Sequence, residues 1–208
     1  MKPELHTHFQ TGAQASPWTF RRRCALLAWG FTWSLTCSWT PKPFNAWRLL
    51  ILRLFGAKIH GTPFVHQHAR IQQPWNLTLH DRACLGDGAN AYSLGAIVIH
   101  QDATIAQEAY LCTGTHDFTQ PHLPLQTAPI VVEAGAFVGA RAFVMPGITL
   151  GARCLVGAMS VVTHNVAAGA HVAGNPARVL GHGHGSGKSG NVRGSPMATS
   201  GDNQIDGT

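Results

Sequence analysis

The chain has 208 residues, 45% hydrophobic and only 12% charged, against roughly 25% charged in an average soluble domain. That length supports one domain with a real core and excludes a chain disordered throughout, while 23 glycines and 12 prolines exclude a helix bundle. The net charge of +6 is concentrated early: residues 1–58 hold eight Lys/Arg and one acid, residues 59–208 hold seven and eight, so no basic groove follows and no nucleic acid is expected as a partner.

Residues 1–17 are expected to be a disordered N-terminus. Residues 18–58 form a basic, Trp-rich segment in which Arg21-Arg22-Arg23 precedes the apolar run Cys24–Trp39. The arginines resemble the start of an export signal, but Thr32, Ser34, Thr36 and Ser38 interrupt the run, and no small-residue cleavage site follows before Pro41. It is also short of the ~20 residues that span a bilayer. Two readings stay open: a packing helix that caps the domain, or an interfacial helix lying among anionic headgroups. The second draws on five of the six tryptophans, Trp18, Trp29, Trp33, Trp39 and Trp47, lying beside the arginines. Phe44, Trp47, Leu50, Leu54 and Phe55 suit a cap. Five cysteines, an odd set without a Cys-x-x-Cys pair, suggest a reduced compartment, neither a disulfide framework nor a Cys-based zinc site, and a cytoplasmic protein, peripheral at the inner face of the membrane.

From Ile59 an apolar residue recurs every six positions: Ile59, Val65, Ile71; Leu79, Leu85, Ala91; Ile99, Ile105, Leu111; then Val132, Val138, Val144, Leu150, Val156, Val162 and Ala168. Four residues after most anchors stands a small residue, among them Ala69, Ala83, Ala89, Gly95, Ala103, Ala109, Thr115, Ala136, Ala142, Cys154 and Ser160. One branched and one small inward residue per six suits a triangular solenoid, with three sixes to a coil. The two-residue breaks at 77–78 and 97–98 then read as small outward loops at one corner. The expected fold is a left-handed parallel β-helix over residues 59–180, with a loop at 117–131 projecting where such scaffolds carry function. Residues 181–208, Gly/Ser-rich and including HGHGSGKSG, read as a disordered tail.

The stretches PFNAWRLLILRLFGAKI, PWNLTL, AYLCTGTHDFTQPHLPLQTAPIVV, PGITLGARCLVGAMSVVTHN and AGNPARV resemble the colanic-acid biosynthesis acetyltransferase branch of the hexapeptide acyltransferases, relatives of the galactoside, maltose and nodulation-factor O-acetyltransferases. The resemblance implies an enzyme that moves acetyl from acetyl-CoA to a sugar hydroxyl in exopolysaccharide or surface-glycan synthesis, with no metal. His116 is the implied base. A sugar hydroxyl is too weak an acid to attack a thioester unaided, and neutral imidazole has a pKa near the working pH. Asp117 is a substrate-binding or ring-orienting candidate, although adjacent residues on extended chain point to opposite faces. By the same resemblance Ala140 offers its N–H near the thioester, Ala158 meets the pantetheine arm, and Thr163, His164 and Arg178 approach the nucleotide. Two departures stand out: His164 replaces the usual Lys, and Phe137 the usual Trp. The family further implies a homotrimer, and the acceptor is a sugar or lipid-linked glycan.

Two other readings use the same fold. A zinc-dependent lyase resembling the γ-class carbonic anhydrases needs three converging histidines, for which His116 and His122 lack a third partner in register. A non-catalytic scaffold leaves TGTHDF and AGNPAR without a role. His60, His66, His68, His80 and His100 read as exposed corner histidines, and Gly139 and Gly157 as corner glycines.

Overall fold

The computed structural model describes residues 5–8 and 16–182; the tail beyond, with most of its HGHGSGKSG run, lies outside the described residues. The period-six anchors build a parallel β-helix of three sheets. Ile59, Leu79, Ile99, Val132 and Leu150 stack in the first, Val65, Leu85, Ile105, Val138 and Val156 in the second, and Ile71, Ala91, Leu111, Val144 and Val162 in the third. All but Ile59 of these are buried, as are the small residues Ala69, Ala83, Ala89, Ala103, Ala109, Ala136, Ala142, Cys154 and Ser160 at the corners. Small side chains at these places let the chain turn within a close-packed interior.

The two extra residues per coil do fall at a single corner, the one between the third sheet and the first, but 77–78 and 97–98 are not outward loops: they belong to the strands Leu77–Leu79 and Ile97–Ile99, with Leu77 and Ile97 buried. At that corner Pro74–Asn76 forms a 3-10 turn, and buried polar groups replace apolar ones. Ser93 Oγ accepts from Gln73 N and donates to Gln73 O, both at 2.9 Å, while Thr113 Oγ1 accepts from Gly95 N at 2.9 Å and donates to Tyr92 O at 2.6 Å. Ser93 and Thr113 thus take the buried places expected for Gly95 and Thr115. The long loop leaves from this same corner, but its bounds differ from 117–131. Gly114–His116 already pairs antiparallel with Leu125–Thr127, and Ile130–Val132 is a regular coil strand. The third strand of this small sheet is His6–Thr7, so the N-terminus is ordered at that point rather than disordered throughout 1–17.

At the C-terminal end the sixfold count slips. Leu150 bridges to Val166, and Val156 pairs with Val172, so the last coil is two residues short and Ala168 faces solvent instead of the core. Ala170–Ala173 then meets Arg178–His182 antiparallel, which extends the folded region two residues past the expected boundary at 180.

Two helices close the other end. α2 (Asn45–Leu54) buries Leu49, Ile51 and Leu52. Its Arg48 is wholly buried, and the guanidinium donates to Val65 O at 2.8 Å, Pro41 O at 3.0 Å, Lys42 O at 3.1 Å and Thr40 Oγ1 at 2.8 Å. Those acceptors compensate a desolvated charge. α1 (Phe20–Thr36) starts on Thr19, whose hydroxyl accepts from Arg22 N, and docks through Trp29, which donates from Nε1 to Ile71 O at 2.7 Å and packs on Trp33 and Phe55. No helix among the described residues is long and apolar enough to cross a membrane.

Candidate active site

His116 ends the strand Gly114–His116 and stands exposed on the projecting loop. Its Nδ1 lies 2.7 Å from the carbonyl oxygen of Leu123. A carbonyl only accepts, so Nδ1 carries the proton and Nε2 is left with a free lone pair, the state a general base requires. The antiparallel pairing of His116 with Leu125 and the bond from Asp117 N to Pro124 O fix the two ends of this arrangement.

Asp117 follows the strand and has partners of its own. Its carboxylate accepts from Thr119 Oγ1 at 2.6 Å, Thr119 N at 3.0 Å and Gln120 Nε2 at 2.8 Å. Those bonds, the Thr119 hydroxyl first, hold its pKa below the usual carboxylate range. Among the described residues the Asp117 carboxylate thus bonds within the loop and makes no hydrogen bond to His116.

Ala140 and Ala158 stack on successive coils at the corner between the second and third sheets, joined by Met159 N donating to Ala140 O at 2.9 Å. Among the described residues neither the Ala140 nor the Ala158 N–H meets an acceptor, although Gly139 N and Gly157 N beside them are both bonded at 2.8 Å. Two N–H groups without an acceptor among the described residues, at matching corners, suit a carbonyl-rich ligand. Gly139 is required for closeness rather than for an unusual φ: a Cβ there would lie 2.6 Å from Ala158 N and 2.7 Å from Val156 O.

Thr163, His164 and Arg178 converge on a cleft of about 310 Å³ at the C-terminal end. The Thr163 hydroxyl and His164 Nδ1 are 2.9 Å apart, and among the described residues Arg178 forms no ion pair, its Nη1 donating only to Ala177 O at 3.2 Å. Five residues of chain at most, roughly 18 Å, separate this cleft from Ala158. Three of the five ligand candidates are thus brought together, with two one strand away. No hydrogen bond among the described residues joins His116 to any of the five.

A second cleft, of about 510 Å³, opens at the edge where Ala140 and Ala158 stand, but nearer the helical cap. Its lining includes His68, Arg70, Asp87, Asn90, Glu108 and Tyr110. Sequence reasoning missed it, although the signal was present: Arg70, Asn90 and Tyr110 each precede an anchor by one residue and so share an outward column. At its rim Asp87 Oδ1 lies 3.1 Å from His66 Nδ1 and 3.0 Å from His68 Nδ1. These three are the group among the described residues that could hold a metal ion, their ligand atoms lying within 4.8 Å of one another. His66 is buried rather than an exposed corner histidine, and burial chiefly lowers its pKa. His116 and His122 belong to no such group.

A family profile described as a hexapeptide repeat of succinyl-transferase matches residues 129–164. The chain is 41% identical over 143 residues to WcaF of Escherichia coli (strain K12), which carries the name of a colanic acid biosynthesis acetyltransferase, covering 69% of this chain and 79% of that one. The fold matches a hexapeptide-repeat acetyltransferase from Vibrio cholerae O1 biovar eltor, solved with acetyl coenzyme A, with a TM-score of 0.71 at 21% identity over 83% of this chain and 94% of the other. It also matches a maltose O-acetyltransferase from Clostridium difficile 630, with a TM-score of 0.67 at 21% identity over 79% and 89% of the two chains. With the period-six core, the coil stacking and the extended similarity to WcaF agreeing, the chain belongs to the hexapeptide-repeat acetyltransferases.

Proposed function

We propose that the protein transfers acetyl from acetyl-CoA to a sugar hydroxyl during surface-glycan synthesis, with His116 as general base. The observation that carries this reading is the bond between His116 Nδ1 and Leu123 O, which leaves Nε2 able to take the proton of an attacking hydroxyl. Acetyl-CoA supplies an activated acyl group whose thiolate leaves easily. The residues present fit it: the free N–H of Ala140 faces the place for the thioester oxygen, Ala158 the pantetheine amide, and Thr163, His164 and the unpaired Arg178 the phosphates. The polar cleft on the N-terminal coils supports a hydroxyl-rich acceptor, since its carboxylates, amide and phenol alternate donors and acceptors.

His116 and the acyl-donor groups lie apart within one chain, which supports a homotrimer whose sites form between neighbours. Phe137, Leu155 and Met159, at 42%, 40% and 68% exposure on the C-terminal coils, are the apolar surface such neighbours would cover. The direct experiment replaces His116 with Ala or Asn. The expected outcome is a loss of ~10²–10⁴-fold in kcat, the usual contribution of a general base, with the acetyl-CoA dissociation constant unchanged. Undiminished turnover would show the base to be another group. His122→Ala is expected to change kcat little.

A further inference from the structure

The inner faces of α1 and α2 close the solenoid, yet each helix keeps a second apolar face that no other described residue covers. On α1, Phe20, Leu27, Phe31 and Leu35 are 78%, 75%, 69% and 56% exposed. At about 100° per residue they fall in one stripe roughly 80° wide, with Arg21 and Arg23 projecting about 80° to either side of its centre. Arg22 takes no part, being drawn inward to Gln73 Oε1 and over the Trp18 ring. The apolar surface continues beyond the helix into a cleft of about 460 Å³ walled by Trp39 and Trp47. Their indole N–H groups are already bonded to Leu35 O and Thr36 O, so the rings offer carbon surface alone. Lys42, Arg53 and Lys58 are also exposed in this N-terminal part of the chain, and the sequence holds no Asp or Glu from residue 5 to residue 80.

An occupant must be apolar where the stripe is and anionic at its rim. A second copy docked face to face would bring these cations against themselves. We propose that this face seats the enzyme on an anionic lipid bilayer, with α1 lying in the plane of the headgroups. Phe20, Leu27, Phe31 and Leu35 enter the acyl boundary, Arg21 and Arg23 meet lipid phosphates on either flank, and the Trp39–Trp47 cleft receives part of a hydrocarbon chain. This deepens the reading of a glycan acceptor by making it lipid-linked, but the docking itself requires neither substrate.

The test uses the full chain, without acetyl-CoA or acceptor, sedimented with phosphatidylcholine vesicles or with vesicles that also contain phosphatidylglycerol. Binding to the anionic vesicles that weakens as salt rises is expected, with little binding to phosphatidylcholine alone. Arg21→Gln with Arg23→Gln should lower partitioning roughly thirtyfold, the effect of two surface charges. Phe31→Glu should abolish it at little changed Tm, because that side chain is 69% exposed. Absence of binding, equal binding to both vesicle types, or a Phe31→Glu variant that still sediments would overturn the proposal. So would a Phe31→Glu variant whose oligomeric mass changes while vesicle binding persists, since the face would then belong to another copy. Vesicle binding by a protein that transfers no acetyl group would remove the transferase reading and leave the docking intact.

Discussion

The tautomer of His116 is set by a carbonyl on the far side of its loop. The sequence displays a histidine in the right setting, but a backbone oxygen has no residue identity, so Leu123 could not be picked out as its orienter. The same limit applies to the free N–H groups of Ala140 and Ala158, which only the stacking of coils makes available. His164 is the opposite case, a side chain that the resemblance singles out by its identity and that lines the same cleft as Arg178. His164→Lys is expected to tighten acetyl-CoA by about 0.5–1 kcal/mol, the worth of an exposed ion pair, measured by titration calorimetry at low salt. An unchanged dissociation constant would take residue 164 out of the phosphate site.

Among the elements, period six was legible because each coil repeats one steric demand, a branched residue in and a small one at the corner. What escaped were places where that demand is met differently. Val166 faces inward two residues early because the chain leaves the last coil to turn back, and Ser93 and Thr113 replace apolar residues where the corner widens. α1 was legible as a packing helix, which its docking through Trp29 bears out, while the alternative of an interfacial helix has only its exposed apolar stripe behind it. The first-sheet corner adds a feature of its own: His60, His80 and His100 stack with ring centroids 4.8 and 4.7 Å apart. Burial first, then the charges of His100 and His60, push the His80 pKa below its usual value. A histidine depressed in the folded state binds its proton more readily when unfolded. The stability it contributes is therefore present above the unfolded value of about 6.5 and declines as pH falls from there through the folded value. Thermal unfolding followed by circular dichroism should show Tm falling between about pH 7.5 and 5.5, and His80→Gln should flatten that fall. An identical slope in the variant would show the stack to be neutral in effect.

For the whole molecule, the proposed division between His116 and the acyl-donor corner would make the oligomer part of the chemistry. In the proposed homotrimer, heterologous contacts closing into a ring would place one chain's loop against the next chain's C-terminal coils. Co-expressing equal amounts of His116→Ala and Ala158→Trp chains should then give a random population of trimers in which about a quarter of all interfaces join two intact halves. Activity near that fraction of wild type, from two variants inactive alone, is the expected result. No recovery in verified mixed trimers would place the whole site within a single chain.

The turn at the end of the last coil bears on what the molecule avoids becoming. A stack of parallel coils is a ready template for one more coil, including the first coil of another molecule, and repeated addition would produce a fibre. Here Arg178–His182 runs the wrong way to receive a parallel strand. Val161, in the last strand of the third sheet, has its N–H taken by Gly174 O at 2.9 Å and its carbonyl by Ala177 N at 2.8 Å. The helices obstruct the opposite end. Growth along the prism axis is thereby blocked in both directions, so association is left to the sides of the prism, where an interface can close on itself after a few copies instead of propagating.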